Sequence, residues 1–141
     1  MNRSQMKQEI ISNIEKYQNQ YGFEFDDGFL SDLTGFLKYT NGNTGMFISE
    51  LLLLLKLVNQ YKENIIQVNP NLYEILKHYD NYYSLHLKVK NFNPRVLVKF
   101  LDDDKHPWFA SIFNEKEGKK HTDYHANVTI ANRRLKQRGK R

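Results

Sequence analysis

Tyr82-Tyr83-Ser84-Leu85-His86-Leu87-Lys88-Val89-Lys90 alternates without a break. Tyr83, Leu85, Leu87 and Val89 fall on one side, and Ser84, His86, Lys88 and Lys90 on the other. Successive side chains of a strand point to opposite faces, so the stretch predicts a β-strand with one face in a core. The other face turns a histidine and two lysines outward, which suits a polyanionic partner. Residues 95–101 and 108–113 are two further strand-like segments. The links Asn91-Phe92-Asn93-Pro94 and Asp102-Asp103-Asp104-Lys105-His106-Pro107 are short enough to join all three as an antiparallel meander.

Toward the N-terminus the period changes to helical. Ile10, Ile14, Tyr17 and Tyr21 recur at spacings of four, three and four, one stripe of an amphipathic helix over about residues 4–20. Residues 21–25 form a break with extended character. Asp26 or Asp27 is the N-cap of a second helix running to about Tyr39. Asn41-Gly42-Asn43-Thr44-Gly45 reads as a loop. A third helix over about 46–62 is apolar nearly all round and forms the centre of the core. Pro70 opens a short helical turn over 72–76. Beyond the strands, Gly118 breaks the chain, and a last helix over about 123–137 buries Val128, Ala131 and Leu135. The fold class is α+β: N-terminal helices, then a small antiparallel meander, then a C-terminal helix, with the helices against one face of the sheet. One domain accounts for residues 1–141, with 1–21 as a helical extension, 22–137 as the core and 138–141 as a frayed basic tail.

Composition narrows the possibilities. Aliphatic and aromatic residues make up 40% of the chain, which excludes a largely disordered protein. There is no cysteine, so neither a disulfide framework nor a thiolate metal site is possible. The longest leucine run, residues 51–55, is far short of the ~18–20 residues that span a bilayer. The first residues lack the apolar stretch of a signal peptide, so a cytosolic protein is expected. Charge is unevenly spread: residues 1–70 carry 6 Lys/Arg against 8 Asp/Glu, and residues 71–141 carry 15 against 8. The last 26 residues alone hold nine basic groups and two acidic ones. Such asymmetry marks a binding half and a scaffolding half.

The basic residues converge if the strands pair as a meander. His86, Lys88 and Lys90 share one strand face, Arg95 opens the next strand with Lys99 further along it, and Lys116, Lys119, Lys120 and His121 follow the third. Together they could hold a phosphodiester backbone, with arginine forking onto phosphate oxygens. Metal-free RNA cleavage needs a group that takes a proton from a 2′-hydroxyl, a cation for the phosphorane and a proton for the leaving oxygen. His86, His121 and His125 are the candidates for proton transfer, with Tyr124 behind them. Arg95, Lys88 and Lys116 are candidates for the charge. Tyr82, Tyr83, Phe92 and Trp108 lie near enough in sequence for one or two to stack on bases. His78 and His106 sit in turn-like segments as surface residues. His121 and His125 share a helix face, but Asp123 is out of phase and no third ligand follows, so no metal is expected. Asp102-Asp103-Asp104 reads as a solvated turn. No Gly-rich phosphate loop, nucleophile elbow or usefully spaced carboxylate pair occurs, which argues against nucleotide hydrolysis and serine-hydrolase chemistry.

The order of Leu72-Tyr73-Glu74-Ile75-Leu76-Lys77, the 82–90 strand, Arg95-Val96-Leu97-Val98-Lys99-Phe100, the apolar 108–113 strand, the Lys-rich turn and Ile130-Ala131-Asn132-Arg133-Arg134-Leu135 resembles the RelE/ParE toxin superfamily. It is nearest the HigB-like branch and extends over about residues 23–137. The resemblance implies a toxin of a type II toxin–antitoxin pair that cuts mRNA on the ribosome without a cofactor and so inhibits translation. A cognate antitoxin would cover the basic face, in a homo- or hetero-oligomer. It implies that the basic strand positions fall on His86 and Lys88, and the phosphate-contacting arginine on Arg95. The basic group after the third strand falls on Lys116, Lys119 or Lys120, and the C-terminal acid/base on His121, Tyr124 or His125. Ser84 stands where some relatives carry lysine, and Pro94 departs from the usual residue before the arginine. ParE-like relatives poison DNA gyrase instead, and a non-catalytic RNA-binding module is a further alternative. Arg95→Ala is expected to remove activity and spare the fold.

Overall fold

The computed structural model describes residues 2–38, 40 and 42–140. The first helix, α1 (Arg3–Tyr21), begins with a reciprocal cap: Asn2 Oδ1 accepts from Gln5 N–H at 2.9 Å, and Gln5 Oε1 accepts from Asn2 N–H at 2.8 Å. It ends at Gly22, whose φ of 71° lets its N–H return to the Tyr17 carbonyl. The extended break is a two-residue strand, β1 (Glu24–Phe25). Asp26 then caps α2 (Asp27–Leu37) by accepting from Gly28 N–H at 2.9 Å. The expected end of that helix at Tyr39, the start of the following loop at Asn41 and the last tail residue, Arg141, lie outside the described residues. Helix α3 (Thr44–Tyr61) starts inside the predicted loop and carries the leucine cluster, as its apolar pattern predicts. A single 3-10 turn and the short α4 (Ile65–Val68) follow.

Where a helical turn is expected over 72–76, residues 73–76 are a strand: β2 (Tyr73–Leu76) pairs antiparallel with β3 (Tyr82–His86). Strands β4 (Pro94–Leu101) and β5 (His106–Asn114) complete the meander, and α5 (Lys120–Arg138) closes the chain. The sheet has five strands in the order β1-β5-β4-β3-β2, with β1 parallel to β5 and the other pairs antiparallel. The fold is α+β as expected, with the meander extended by a strand on each side.

Helices cover both faces, not one. Tyr83, Leu85, Val96, Val98 and Phe109 join α1, α2 and α3 in the larger core. Alternate residues of the same strands, Tyr82, Leu97 and Trp108, join Tyr124, Val128 and Ala131 of α5 in a second core. The side of the 82–90 stretch predicted to face solvent is therefore roofed by α5, and Ser84 is fully buried there. The continuous strand ends at His86, after which Leu87 N–H bonds the Pro94 carbonyl at 3.1 Å and Val89 makes a single bridge to Phe92; Lys88 and Lys90 lie in this last part, exposed.

Two arginines of α5 tie it to the other half. Arg134 donates to Asp32 at 2.8 Å and to the Ala110 carbonyl at 2.7 Å, and its guanidinium fills the space that a Cβ on Gly28 would need. Arg138, expected in a frayed tail, is the last residue of α5 and donates to both carboxylate oxygens of Glu24 on β1.

Candidate functional site

The register of β3 on β4 sets His86 directly against Arg95 on the face under α5, and β2 places Glu74 opposite Ser84. The first turns of α5 lower Tyr124 onto this patch. Its hydroxyl lies 2.7 Å from Ser84 Oγ, donates to Glu74 Oε1 at 3.4 Å and lies 3.4 Å from His86 Nε2. Phe113, beside Arg95 in the register, meets the Tyr124 ring edge-on at 5.7 Å. The result is a chain of polar groups, Ser84–Tyr124–Glu74–His86, held by an aromatic contact above and the sheet below.

Each cation of the patch has a carboxylate. Arg95 Nε donates to Glu115 Oε1 at 3.2 Å, and its Nη1 donates to the Pro94 carbonyl at 3.2 Å. Lys120 Nζ is 3.4 Å from Glu74 Oε1, and His86 Nε2 is 3.6 Å from the same oxygen. The Arg95 and Glu115 side chains are only 13% and 17% exposed, so this pair is largely shielded, whereas Lys120 is 59% exposed and rides the rim. Burial and then the Arg95 cation push the His86 pKa down to about 4, outweighing the pull of Glu74 and Glu115. At neutral pH His86 is therefore an uncharged imidazole with a lone pair to offer. Burial raises the Tyr124 phenol well above its ordinary range, despite the opposing Ser84 bond, so it stays protonated and donates.

Of the predicted residues, the structure brings together His86, Arg95, Tyr124 and Lys120. His121 stands at the adjoining cleft, with Nδ1 hydrogen-bonded to the Tyr79 hydroxyl. His125 is exposed one turn further along α5. Lys99 is at the far end of β4, ~13 Å of strand from Arg95, with its ammonium 4.6 Å from the Tyr82 ring centre. Lys116 and Lys119 are exposed in the turn before α5, where Lys116 N–H donates to Asp123 at 2.7 Å. Tyr82 and Trp108 are fully buried and Tyr83 nearly so, so none of these three is a stacking platform. No spacing rule singles out Glu74 within the short edge strand β2, Glu115 just past the end of β5 or Tyr79 in the turn after β2.

His106 is not a free surface residue. Its Nε2 lies 3.0 Å from Glu24 and its Nδ1 2.8 Å from Asp104. Burial opposes its charge, but the bonds to Asp104 and Glu24 outweigh it and raise its pKa. Among the described residues, Asp102, Asp104 and His106 bring ligand atoms within 4.8 Å of one another. Both His106 nitrogens are engaged, and Arg138 lies 3.8 Å from Asp102, so protein cations already balance this cluster. Among the described residues no helix is long and apolar enough to cross a membrane. No family model, no curated protein and no solved structure matches the chain.

Proposed function

We propose that the chain is a metal-independent endoribonuclease, acting where α5 crosses β3 and β4. The observation that carries this is the pairing of a neutral imidazole, His86, with an arginine in the next strand, beside a lysine-rimmed cleft. His86 takes the proton from a 2′-hydroxyl. The 2′-oxygen then forms its bond to phosphorus as the 5′-oxygen leaves, giving a 2′,3′-cyclic phosphate and a 5′-hydroxyl. Arg95 and Lys120 exchange their carboxylate partners for the phosphorane oxygens. Tyr124 is almost fully buried, with its hydroxyl turned in to Ser84, Glu74 and His86, and so orients His86 instead of entering the chemistry. His121 or Lys120, at the cleft, returns a proton to the leaving oxygen. The RelE/ParE resemblance adds the setting: mRNA on the translating ribosome as substrate, and an antitoxin over the Lys116–Lys120 rim.

One observation favours a second reading, a non-catalytic RNA-binding module. Arg95 and Lys120 are both already neutralised by Glu115 and Glu74, which a binding surface tolerates more readily than a phosphoryl-transfer site.

The test is cleavage of a defined mRNA with and without translating ribosomes, with ends mapped by primer extension and their chemistry by phosphatase sensitivity. Wild type should leave 2′,3′-cyclic phosphate ends, and His86→Gln, which keeps a polar group but loses the base, should leave RNA intact. Bound but uncut RNA in every lane selects the binding module. Cleavage undiminished in His86→Gln removes His86 from the chemistry.

A further inference from the structure

Beside the polar patch lies a cleft of about 460 Å3, walled by the edge strand β2, the turn after it and the start of α5. Its size and make-up are those of a small-molecule subsite: mostly apolar walls with a few convergent polar groups. Tyr79 and His121 form one wall, their rings 5.7 Å apart and fixed by the Tyr79–His121 hydrogen bond. Tyr124 backs it, 6.2 Å from Tyr79. Glu74 is the acceptor. Its closest approaches to His86, Tyr124 and Lys120 are all made by Oε1, and among the described residues Oε2 accepts no hydrogen bond.

We propose that this cleft is a nucleobase subsite that selects guanine. Planar rings at the wall favour a planar ligand and tolerate any base by stacking. The carboxylate discriminates, because it accepts hydrogen bonds and cannot donate them. Guanine presents its ring N–H and its 2-amino group side by side, two donors for two carboxylate oxygens. Adenine and cytosine each set a ring acceptor beside the amino group, and uracil flanks its one N–H with carbonyls, so each turns a lone pair toward Glu74. Glu74 lies 3.6 Å from His86, so the selected base belongs to a nucleotide bordering the scissile phosphate. Lys120, also on the cleft, meets that phosphate. The subsite takes its substrate class from the cleavage proposed above, yet it is testable without cleavage.

The experiment is a fluorescence or NMR titration of the full chain with the 3′-monophosphates of guanosine, inosine, adenosine and cytidine. The guanosine nucleotide should bind about 10- to 100-fold tighter than the adenosine one, the range of a good bidentate base contact. Inosine, lacking the 2-amino group, should fall between them. Glu74→Gln should erase the preference, and Tyr79→Ala should weaken all four alike. Equal binding of the four by wild type overturns the subsite, as does a guanine preference that survives Glu74→Gln. The wild-type ranking needs no variant, so a misfolded Glu74→Gln leaves the test standing. Selective guanosine binding by a protein that cuts no RNA supports the subsite and sinks the nuclease. RNA cut with no guanine on either side of the break does the reverse.

Discussion

His86→Gln tests the electrostatics on which the site depends. In the unfolded chain an imidazole takes up its proton near pH 6.5, whereas in the fold burial and Arg95 delay protonation to about pH 4. Between those values the unfolded state binds the extra proton, so acidification favours unfolding and stability rises with pH. Above about pH 6.5 the imidazole is neutral in both states and contributes nothing to the slope; below pH 4 the full penalty applies. The interval from 6.5 to about 4, at about 1.4 kcal/mol per pH unit, is worth about 3 kcal/mol. Gln is neutral at every pH and reaches the position of Nε2. Urea unfolding of wild type and His86→Gln at pH 7, 6, 5 and 4 should therefore show wild type losing about 3 kcal/mol more than the variant across the series. Most other titrating groups are common to both proteins and cancel. Parallel curves would refute the claim that His86 is held neutral, and with it the base assigned to the site.

Arg95→Ala, expected from sequence to spare the fold, should instead cost about 1–3 kcal/mol in urea unfolding, because it strands the largely buried Glu115 carboxylate. Adding Glu115→Gln should recover most of that loss, and a double mutant no better than Arg95→Ala would show the pair to be unimportant. Gly28→Ala should also destabilise, by about 1 kcal/mol, because the Arg134 guanidinium must move off the new methyl and loosen its bonds to Asp32 and the Ala110 carbonyl. In an Arg134→Ala background the same change should cost much less. The Glu24–His106–Arg138 clasp should be sensitive at both ends of the pH range. The hydrogen bond from Arg138 lowers the Glu24 pKa, so its contribution is present above pH 4.5 and lost as pH falls through the folded value. The raised His106 pKa stabilises below pH 6.5 and is lost as pH rises through its folded value. Glu24→Gln should thus destabilise most between those limits, and thermal melts from pH 4 to 8 would show it.

The alternation of residues 82–90 identified the sheet, because a period of two survives in the sequence wherever a strand has two different faces. What it could not say is what lies on the polar side. Tyr124, Val128 and Ala131 are a sparse stripe in a helix otherwise rich in Lys and Arg, and nothing local states which sheet face they meet. Hence Ser84 and His86 read as solvent-facing when they lie under a roof. Tyr73-Glu74-Ile75-Leu76 reads as a helical turn because a few residues after a proline fit a first helical turn as well as an edge strand. The pairing that decides between them comes from β3, twelve residues downstream at Leu85. A two-residue strand such as β1 has no period at all. Its place is set by Asp26 N–H, which bonds the Phe109 carbonyl at 3.0 Å, a contact no sequence window contains.

The same limit applies to charge. A count of nine basic residues in the last 26 suggests one binding surface, but the fold divides them by use. Arg134 and Arg138 are spent inside the molecule on Asp32 and Glu24, and so stabilise the join between α5 and the N-terminal half. Lys116, Lys119 and Lys120 remain exposed at the start of α5, next to the patch. There Glu74 and Glu115 compete with any incoming phosphate for Lys120 and Arg95. Under the cleavage proposed above, an isolated phosphodiester must break two ion pairs to gain two, a nearly balanced exchange that yields little net binding. Affinity must then come from elsewhere, from the exposed lysines and from a base in the neighbouring cleft. A site built this way grips RNA weakly unless something else holds the strand in place, which is the physical basis for expecting cleavage on a scaffold such as the ribosome instead of on free RNA.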